Sequence, residues 1–541
     1  MLVQGPAEDF LPLPWADSTM FRDTECVDSI RGSTRSSVPL SLLRSRYSLL
    51  RLTALPHTAR AVQIAIDPQV GRSLPEIRYT LRTLFATAGL PIELVWYDAE
   101  QAPDVYPDVY YGPRGGVGAS VTIPSVSWEF QKAPEFTPDA LVETGPIPQL
   151  LFEGGPSALA PPRDDELHFS TDVLFTAFWL LTGPEETRLS RDKSDNLDAA
   201  STSIVRLDLL ARPLVSMLAK LLADHFAARG KPPMPWPWAG KGHAVALSHD
   251  VDYPEIIRWI EMLRSIADGQ PGRAASVALG RSHFWKFQEW IDLADSLGGR
   301  PAFYFMARRG SLYQYARGRP DAFYDIETPR FRDLFRYLAD QGCEIGLHAS
   351  WESHLGADRL KQEREKLEQA CGLPVRGNRH HYWRLDPDAP HETLRRHGVA
   401  GLTYDSSLAF ETHPGFRRGI CHPFRAYHTD RREAIDCVQV PPGWMDDHFH
   451  RRREINGIQD PEAAAARILH AVRSTAGALV LDYHPRGMNE DFFPEYGPWL
   501  RDFSARHLQG GDLRTPIDLA QAFLERETAL DHTSLDRTQV A

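Results

Sequence analysis

The stretch AVALSHDVD, residues 244–252, places two carboxylates two positions apart at the end of an apolar strand. Two more short apolar segments end on histidines: EIGLH, residues 344–348, and ALVLDYH, residues 478–484. Parallel α/β sheets carry their reactive side chains at the carboxyl ends of the strands. The sequence therefore predicts one rim that holds four side chains: Asp250, Asp252, His348 and His484.

Strands and helices alternate on both sides of this segment. After it, apolar strands such as PAFYFMA, residues 301–307, are followed by amphipathic helices up to residue 527. This alternation over about 280 residues predicts an α/β fold whose parallel sheet is bent into an irregular (β/α) barrel. Before it, AVQIAID and PIELVWYDA are typical of strands and PEIRYTLRTLFATAG is typical of a helix, which predicts a smaller α/β domain.

A break in composition separates these two parts. The segment GKPPMPWPWAGKG, residues 230–242, holds four prolines and three glycines. Proline lacks the backbone donor that helices and sheets use, so regular structure is not expected there. The predicted boundaries are an N-terminal domain of unknown role (1–230), a linker (231–242), a second domain (243–527) and a flexible tail (528–541).

The composition is that of an ordinary globular protein with a formal charge of −12 over 541 residues. The negative charge argues against a nucleic-acid partner, which would need an excess of Lys and Arg. No segment has the apolar length of a membrane span or the charged-then-apolar order of a signal peptide. The five cysteines are scattered, without a CxxC pair, and fit reduced thiols. We expect a cytoplasmic protein; the sequence does not determine its oligomeric state.

The order of the motifs resembles a known family. A strand with DVD, then GLH, then RGNRHHY at residues 376–382 and a late strand that ends in histidine are similar to the motifs of polysaccharide deacetylases with NodB homology. The resemblance covers roughly residues 242–520 and implies a deacetylase-type barrel with metal-dependent hydrolysis. The roles that it implies are a general base (Asp250), metal ligands (Asp252 and His348), an arginine that orients the base (Arg379), a substrate tyrosine (Tyr382), a general acid (His484) and its supporting carboxylate (Asp446 or Asp447).

One position departs from the pattern of that family. The family places a second metal histidine four residues after the first, and this chain has Glu352 there. His354 lies six residues after His348, about 240° round an ideal helix, so it would bind a metal only from an irregular segment. His381 stands where the family's motif has proline and offers another imidazole. The sequence therefore leaves His354, His381 and Glu352 as alternatives for the remaining metal ligand.

The predicted residue types suit the hydrolysis of an amide. Amide carbonyls are poor electrophiles, and a bound metal polarises them and lowers the pKa of its water to about 7. One carboxylate with one or two imidazoles leaves coordination positions open, so Zn²⁺ is the cofactor that we expect. A general base and a general acid each contribute roughly 10²–10⁴-fold to the rate. Asp482, two residues before His484 on the same strand face, is a candidate to orient that imidazole.

Aromatic residues beside the motifs extend the prediction to the substrate. Trp351 and Trp444, together with Tyr382, offer faces on which a sugar ring would stack. The favoured function is removal of an acyl group, such as acetyl, from an N-acylated sugar or glycan precursor. Two alternatives stay open, namely hydrolysis of a small linear or cyclic amide, and a glycan-binding or assembly protein that keeps the fold without turnover.

Overall fold

The structure is a computed structural model. It describes residues 60–97, 106–114, 118–125, 127–143, 147–152, 166–192, 195–256, 258–311, 313–314, 321–449 and 457–530. The first residues, on which the signal-peptide expectation depends, and most of the predicted tail 528–541 lie outside the described residues. The described residues belong to one compact unit.

The chain before residue 231 builds a small parallel sheet. Its strands are β1 (Val62–Ile66), β2 (Ile92–Trp96), β3 (Val109–Gly112), β4 (Val121–Pro124), β5 (Pro138–Val142), β6 (Gln149–Phe152) and β7 (Leu167–His168). The N-terminal sheet has the order β2-β1-β3-β4-β7, with parallel neighbours throughout. β5 and β6 form a separate antiparallel pair. This is the α/β arrangement that the sequence predicted for the region.

The helices of this region are α1 (Leu74–Ala88), α2 (Val173–Thr182), α3 (Ser203–Arg206) and α4 (Leu214–Ala227). α2 shows how the sequence sets the limits of an element. Asp172 caps its first turn by accepting a hydrogen bond from the backbone N–H of Phe175 at 2.8 Å. Gly183 ends the helix with a φ of 58°, and a Cβ there would collide with the guanidinium of Arg418. Only glycine therefore fits this position.

The chain after residue 242 builds a larger sheet. Its strands are β8 (Ala244–Val251), β9 (Ala302–Phe305), β10 (Glu344–Ala349), β11 (Gly377–His380), β12 (Tyr404–Asp405), β13 (Phe424–His428), β14 (Glu433–Gln439), β15 (Pro442–Met445), β16 (Ala478–Asp482) and β17 (Asp512–Leu513). The C-terminal sheet has the order β13-β14-β12-β11-β10-β9-β8-β16-β15, and β17 also pairs with β8. Only β13 and β14 are antiparallel among these described pairs. β13 and β15 do not pair with each other in the described residues, so the sheet forms a half barrel, and the predicted α/β barrel class is confirmed.

Helices connect the strands of the C-terminal sheet. They are α5 (Arg258–Ala267), α6 (Pro271–Ala278), α7 (Phe287–Ser296), α8 (Pro329–Asp340), α9 (Ala357–Cys371), α10 (Pro390–Val399), α11 (Asp446–Phe449), α12 (Pro461–Ser474), α13 (Tyr496–Phe503) and α14 (Pro516–Leu530). Asp460 caps α12 by accepting a hydrogen bond from the backbone N–H of Ala463 at 3.0 Å. Within the described segments, no helix combines the length and the apolar character that crossing a bilayer requires.

β8 positions the reactive rim. All of its residues are buried, as expected for a central strand of a parallel sheet covered on both faces. Ala244 and Ala246 belong to an apolar cluster with Tyr304, whereas Val245 and Leu247 belong to a different cluster on the other face. Because side chains alternate along a strand, the face of Ala246 continues into Asp250, and the next inward position is Asp252.

The two sheets share an apolar core. One cluster joins residues of β1, α1, α2 and α4 to residues of β13 and β14. The ring of Tyr427 lies 4.6 Å from Tyr79 and 5.5 Å from Phe178. Arg432 adds a buried-carboxylate contact by pairing with Glu76, 2.6 Å between Nε and Oε1. Packing across the predicted boundary is therefore continuous.

The Pro-rich segment 231–242 contributes two buried indoles to this packing. Trp236 and Trp238 stack on each other with ring centroids 4.8 Å apart. Trp236 donates to the carbonyl of Thr87 at 3.1 Å, and Trp238 donates to the carbonyl of Ala476 at 2.7 Å. One indole is thus bonded to each half of the chain, and whether the halves fold independently stays a prediction.

Candidate active site

Three side chains with metal-binding atoms meet at the carboxyl ends of β8, β10 and β11. Asp252 follows β8, His348 lies on β10 and His381 follows β11. Asp252 Oδ1 lies 3.1 Å from His348 Nε2 and 3.7 Å from His381 Nε2. All three residues are buried, and their ligand atoms lie within 4.8 Å of one another. One carboxylate oxygen and two imidazole nitrogens at this spacing suit one divalent cation with further positions open.

The other nitrogens of the two imidazoles are already engaged. His348 Nδ1 donates to the carbonyl of Arg379 at 2.9 Å, and His381 Nδ1 donates to Asp321 Oδ1 at 3.1 Å. Both Nε2 atoms therefore carry the free lone pair toward Asp252, which is the arrangement that metal-binding histidines require. Burial alone would lower the pKa of His348, but Asp250 and Asp252 outweigh it and raise that pKa to about 9. A cation would displace this proton on binding.

Asp321 is a functional residue that sequence reasoning missed. Its Oδ1 accepts hydrogen bonds from His381 and from the backbone N–H of Trp351, and its Oδ2 accepts one from Gln314 at 2.7 Å. Burial would raise the pKa of Asp321, but the hydrogen bond from His381 outweighs it and holds the pKa below its usual range. The residue comes from the long connection between β9 and α8, where the sequence shows no motif or periodicity.

Arg379 links two carboxylates beneath this group. Its Nη1 lies 3.1 Å from Asp250 Oδ1 and 2.9 Å from Asp482 Oδ1, and its Nη2 donates to Ser248 Oγ at 2.8 Å. Arg379 is fully buried. Burial raises the pKa of Asp482 more than Arg379 lowers it, and the neighbouring charge of Asp250 raises it further. Two buried carboxylates thus share one guanidinium, with Asp250 on the side of the metal group.

His484 faces the metal group from β16. Its Nε2 lies 3.1 Å from Asp252 Oδ2, and its Nδ1 donates to Asp446 Oδ1 at 2.8 Å. Burial and Arg486 lower the pKa of His484, but Asp446 and Asp252 outweigh them, so the pKa lies well above its ordinary value. Asp446, at the end of β15, is therefore the carboxylate that orients this imidazole. Asp482, the other candidate from the sequence, contacts Arg379 and the indole N–H of Trp383 instead.

Arg486 is a second residue that the motifs did not single out. It follows His484 by two residues, and its Nη1 lies 3.6 Å from Asp252 Oδ2. This Nη1 is buried and makes no hydrogen bond with any described residue. A buried donor without an acceptor is costly, and a group bound in the site would supply the acceptor.

The remaining predicted residues lie around the group at different depths. His354 is outside it, because its Nδ1 donates to the carbonyl of Trp351 at 2.8 Å and it sits in the short helical turn Ser353–Leu355. Glu352 pairs with Arg359 at 3.0 Å, away from the imidazoles. The structure therefore brings His381, rather than either alternative, to Asp252 and His348.

Two of the three predicted substrate aromatics border the site. Tyr382 lies with its ring 4.3 Å from His381 and 5.2 Å from Trp351. Trp351 is buried beneath the guanidinium of Arg384, 4.4 Å from its ring. Trp444 is wholly buried and donates to the hydroxyl of Tyr483 at 2.7 Å, so it has no free face in this structure and belongs to the core.

Parts of the chain resemble known proteins. A family of unknown function, DUF7033, matches residues 68–231. No protein of curated function matches the chain.

Solved structures are similar to about half of the chain. A protein from Mycobacterium smegmatis classed as a polysaccharide deacetylase is 20% identical over 57% of this chain and 98% of its own, with a TM-score of 0.36. One from Bordetella bronchiseptica, classed as a polysaccharide deacetylase involved in O-antigen biosynthesis, is 17% identical over 55% of this chain and 92% of its own, with a TM-score of 0.23. A CE4 family pseudoenzyme from Bacillus anthracis is 12% identical over 54% of this chain and 67% of its own, with a TM-score of 0.24. Similarities at this level carry no conclusion about activity, which has to be argued from the residues of the site.

Proposed function

We propose that this protein is a metal-dependent hydrolase that removes an acyl group, such as acetyl, from an N-acylated sugar. The observation that carries the proposal is the meeting of Asp252, His348 and His381 on one rim with a carboxylate and an imidazole beside them. Asp250 and His484 approach the group from different strands, which is the placement that a base and an acid need.

The donor set fits a metal cofactor. Asp252 Oδ1 and the Nε2 atoms of His348 and His381 would hold the cation, since each imidazole has its Nδ1 committed elsewhere. Two nitrogens and one carboxylate oxygen favour Zn²⁺ over the harder cations Mg²⁺ and Ca²⁺. When bound, the cation would polarise the acyl carbonyl and acidify water.

The surrounding residues supply proton transfer. Asp250 is held by Arg379 with its second oxygen turned toward His348, 3.8 Å from that Nδ1, so it is placed to take a proton from water in the site. His484, kept protonated by Asp446 and Asp252, would give its proton to the leaving amine. Arg486 would stabilise the negative charge that develops on the acyl oxygen.

The test measures metal content and acetate release on the same preparations. Zinc-loaded protein is incubated with N-acetylglucosamine, N-acetylated oligosaccharides and, in parallel, small amides. We expect His381→Gln to lose both metal and acetate release, and the matched variant His354→Gln to keep both. Metal retention by His381→Gln, or acetate release by neither wild type nor variant on the sugar panel, would contradict the proposal.

We also propose a cytoplasmic location. The support is the scattered placement of the cysteines, and the four described ones, Cys343, Cys371, Cys421 and Cys437, are unpaired. Fractionation of cells that express the native chain tests this location.

A further inference from the structure

The loop after β11 is held in a strained conformation. Tyr382 and Trp383 both have positive φ, 59° and 49°, which L-residues with large side chains rarely adopt. Each such residue costs about 1–3 kcal/mol unless its surroundings hold it in place. This loop carries His381 at one end, and the indole N–H of Trp383 donates to Asp482 at 3.2 Å. Its conformation therefore determines the geometry of the metal group.

Residues of the N-terminal region hold this loop from outside. Arg384 donates to Asp195 Oδ2 at 2.9 Å and to the carbonyl of the same residue at 3.2 Å. Arg191 donates to the carbonyl of Pro387 at 2.5 Å. Both contacts join a segment before residue 231 to the segment directly after His381, so the N-terminal region is part of the support of the site.

A buried ion triad fixes the same segment. Glu186 lies between Arg417 and Arg418 and accepts two hydrogen bonds from each guanidinium, at 2.8–2.9 Å. All three residues are buried. Breaking a buried pair leaves an uncompensated charge, so this segment has little freedom to move away.

A cleft lies between the anchored segment and the strained loop. It encloses about 430 Å³, counted to where it meets open solvent, within the range of small-ligand sites. One wall is formed by Tyr382 and Trp383, and the other includes Arg191 and Asn196. Across the cleft Asn196 donates to Glu411 Oε2 at 2.9 Å. Tyr382 connects the cleft to the metal group, because its ring lies 4.3 Å from that of His381.

The chemistry of these walls fits a hydroxylated ring. Aromatic side chains pack against the apolar face of a sugar, and amide, carboxylate and guanidinium groups exchange hydrogen bonds with its hydroxyls. The lining carries both signs of charge, Arg191 and Arg417 against Glu186, Asp386 and Glu411, so it does not favour a strongly anionic or cationic ligand.

We propose that the segment Glu186–Leu197 forms the second wall of the substrate cleft and binds the sugar unit next to the one that is deacylated. The inference depends on the proposed function and assigns a task to the N-terminal region, namely recognition of a substrate of at least two sugar units. Asn196 is the residue that determines this preference, through its amide between Glu411 and Arg384.

The test is a binding measurement on protein that does not turn over. Full-length, zinc-loaded Asp250→Asn is titrated by calorimetry with N-acetylglucosamine and with N,N′-diacetylchitobiose. We expect the disaccharide to bind about tenfold more tightly, because one good polar contact is of that size. Adding Asn196→Ala should remove most of this advantage and leave monosaccharide binding within about twofold, since the deacylation subsite is untouched.

Two further variants make the result specific. Glu411→Gln changes the opposite partner of Asn196 and should reproduce the loss, which covers the case in which Asn196→Ala does not fold. Glu143→Gln removes a solvent-exposed ion pair with Arg212 in the same region and should change neither affinity.

Several outcomes would overturn the inference. They are equal loss of monosaccharide and disaccharide affinity in Asn196→Ala, an undiminished disaccharide advantage in both Asn196→Ala and Glu411→Gln, and no advantage or no binding in the parent protein. The proposed function is judged separately, by zinc content and acetate release of the protein without the Asp250→Asn change, so the two failures are distinguishable.

Discussion

The N-terminal sheet and the C-terminal sheet both place a buried carboxylate at the carboxyl end of a parallel strand. Asp67 follows β1, and Asp252 follows β8. Asp67 accepts hydrogen bonds from the hydroxyl of Tyr110 at 2.8 Å and from the backbone N–H of Gln69 at 3.0 Å, and it pairs with Arg114. Asp252 instead faces His348, His381 and His484.

The difference lies in what the neighbouring strands bring. Beside β1, β3 supplies Tyr110, a neutral donor that satisfies the carboxylate completely. Two and three strands from β8, β10 and β11 deliver His348 and His381, whose free lone pairs point at the carboxylate and cannot satisfy it without a proton or a cation. A carboxylate at a strand end is therefore a cap in one sheet and a candidate metal ligand in the other.

The largest effect is expected for Asp252→Asn. Removing one of three ligands should abolish zinc binding and, with it, acetate release, because the two imidazoles alone leave too few donors for a stable catalytic site. Elemental analysis and the acetate assay on one preparation check this. Full zinc occupancy in Asp252→Asn would mean that the cation binds elsewhere.

Asp250→Asn should lower kcat by roughly 10²–10⁴-fold while zinc content stays near that of the wild type. The amide keeps the shape of the carboxylate and cannot take a proton, so the loss should appear in kcat more than in KM. Steady-state kinetics with metal analysis tests this separation of the two aspartates. Equal kcat in variant and wild type would remove Asp250 from the mechanism.

Asp321→Asn should weaken zinc affinity by about 10–100-fold, the range for partners that orient a ligand. The amide no longer offers a charged acceptor to His381 Nδ1, so that imidazole loses its fixed orientation. Competition with a chelator measures the affinity, and excess zinc should restore acetate release. A loss of activity that zinc does not restore would indicate a different role for Asp321.

Asp67→Asn supplies the matched control in the N-terminal sheet. It should lower the free energy of unfolding by about 1–3 kcal/mol, because a buried acceptor network is disturbed, and leave zinc content and kcat per folded molecule unchanged. Urea denaturation and the acetate assay together test it. A selective loss of zinc in this variant would end the distinction between the two sheets.

The strands of both sheets were predictable because burial on both faces produces short, continuous apolar runs such as residues 244–251 and 478–482. The side chains at their ends followed from the same logic. The choice between His354 and His381 did not, because it depends on a turn and a short helix after β10 that no periodicity encodes. Asp321 and Arg486 were missed for a related reason, since each reaches the rim from an irregular segment whose path is set by tertiary packing.

The contacts across residue 231 also determine how this chain can change over generations. Glu76 is matched to Arg432, and Glu186 to Arg417 and Arg418, so each acidic residue of the first half has its own basic partner in the second. A recombination event that joined the first half to a distantly related second half would leave these carboxylates unmatched inside the fold. The two halves are therefore inherited together, and substitutions on one side are expected to be accompanied by compensating substitutions on the other.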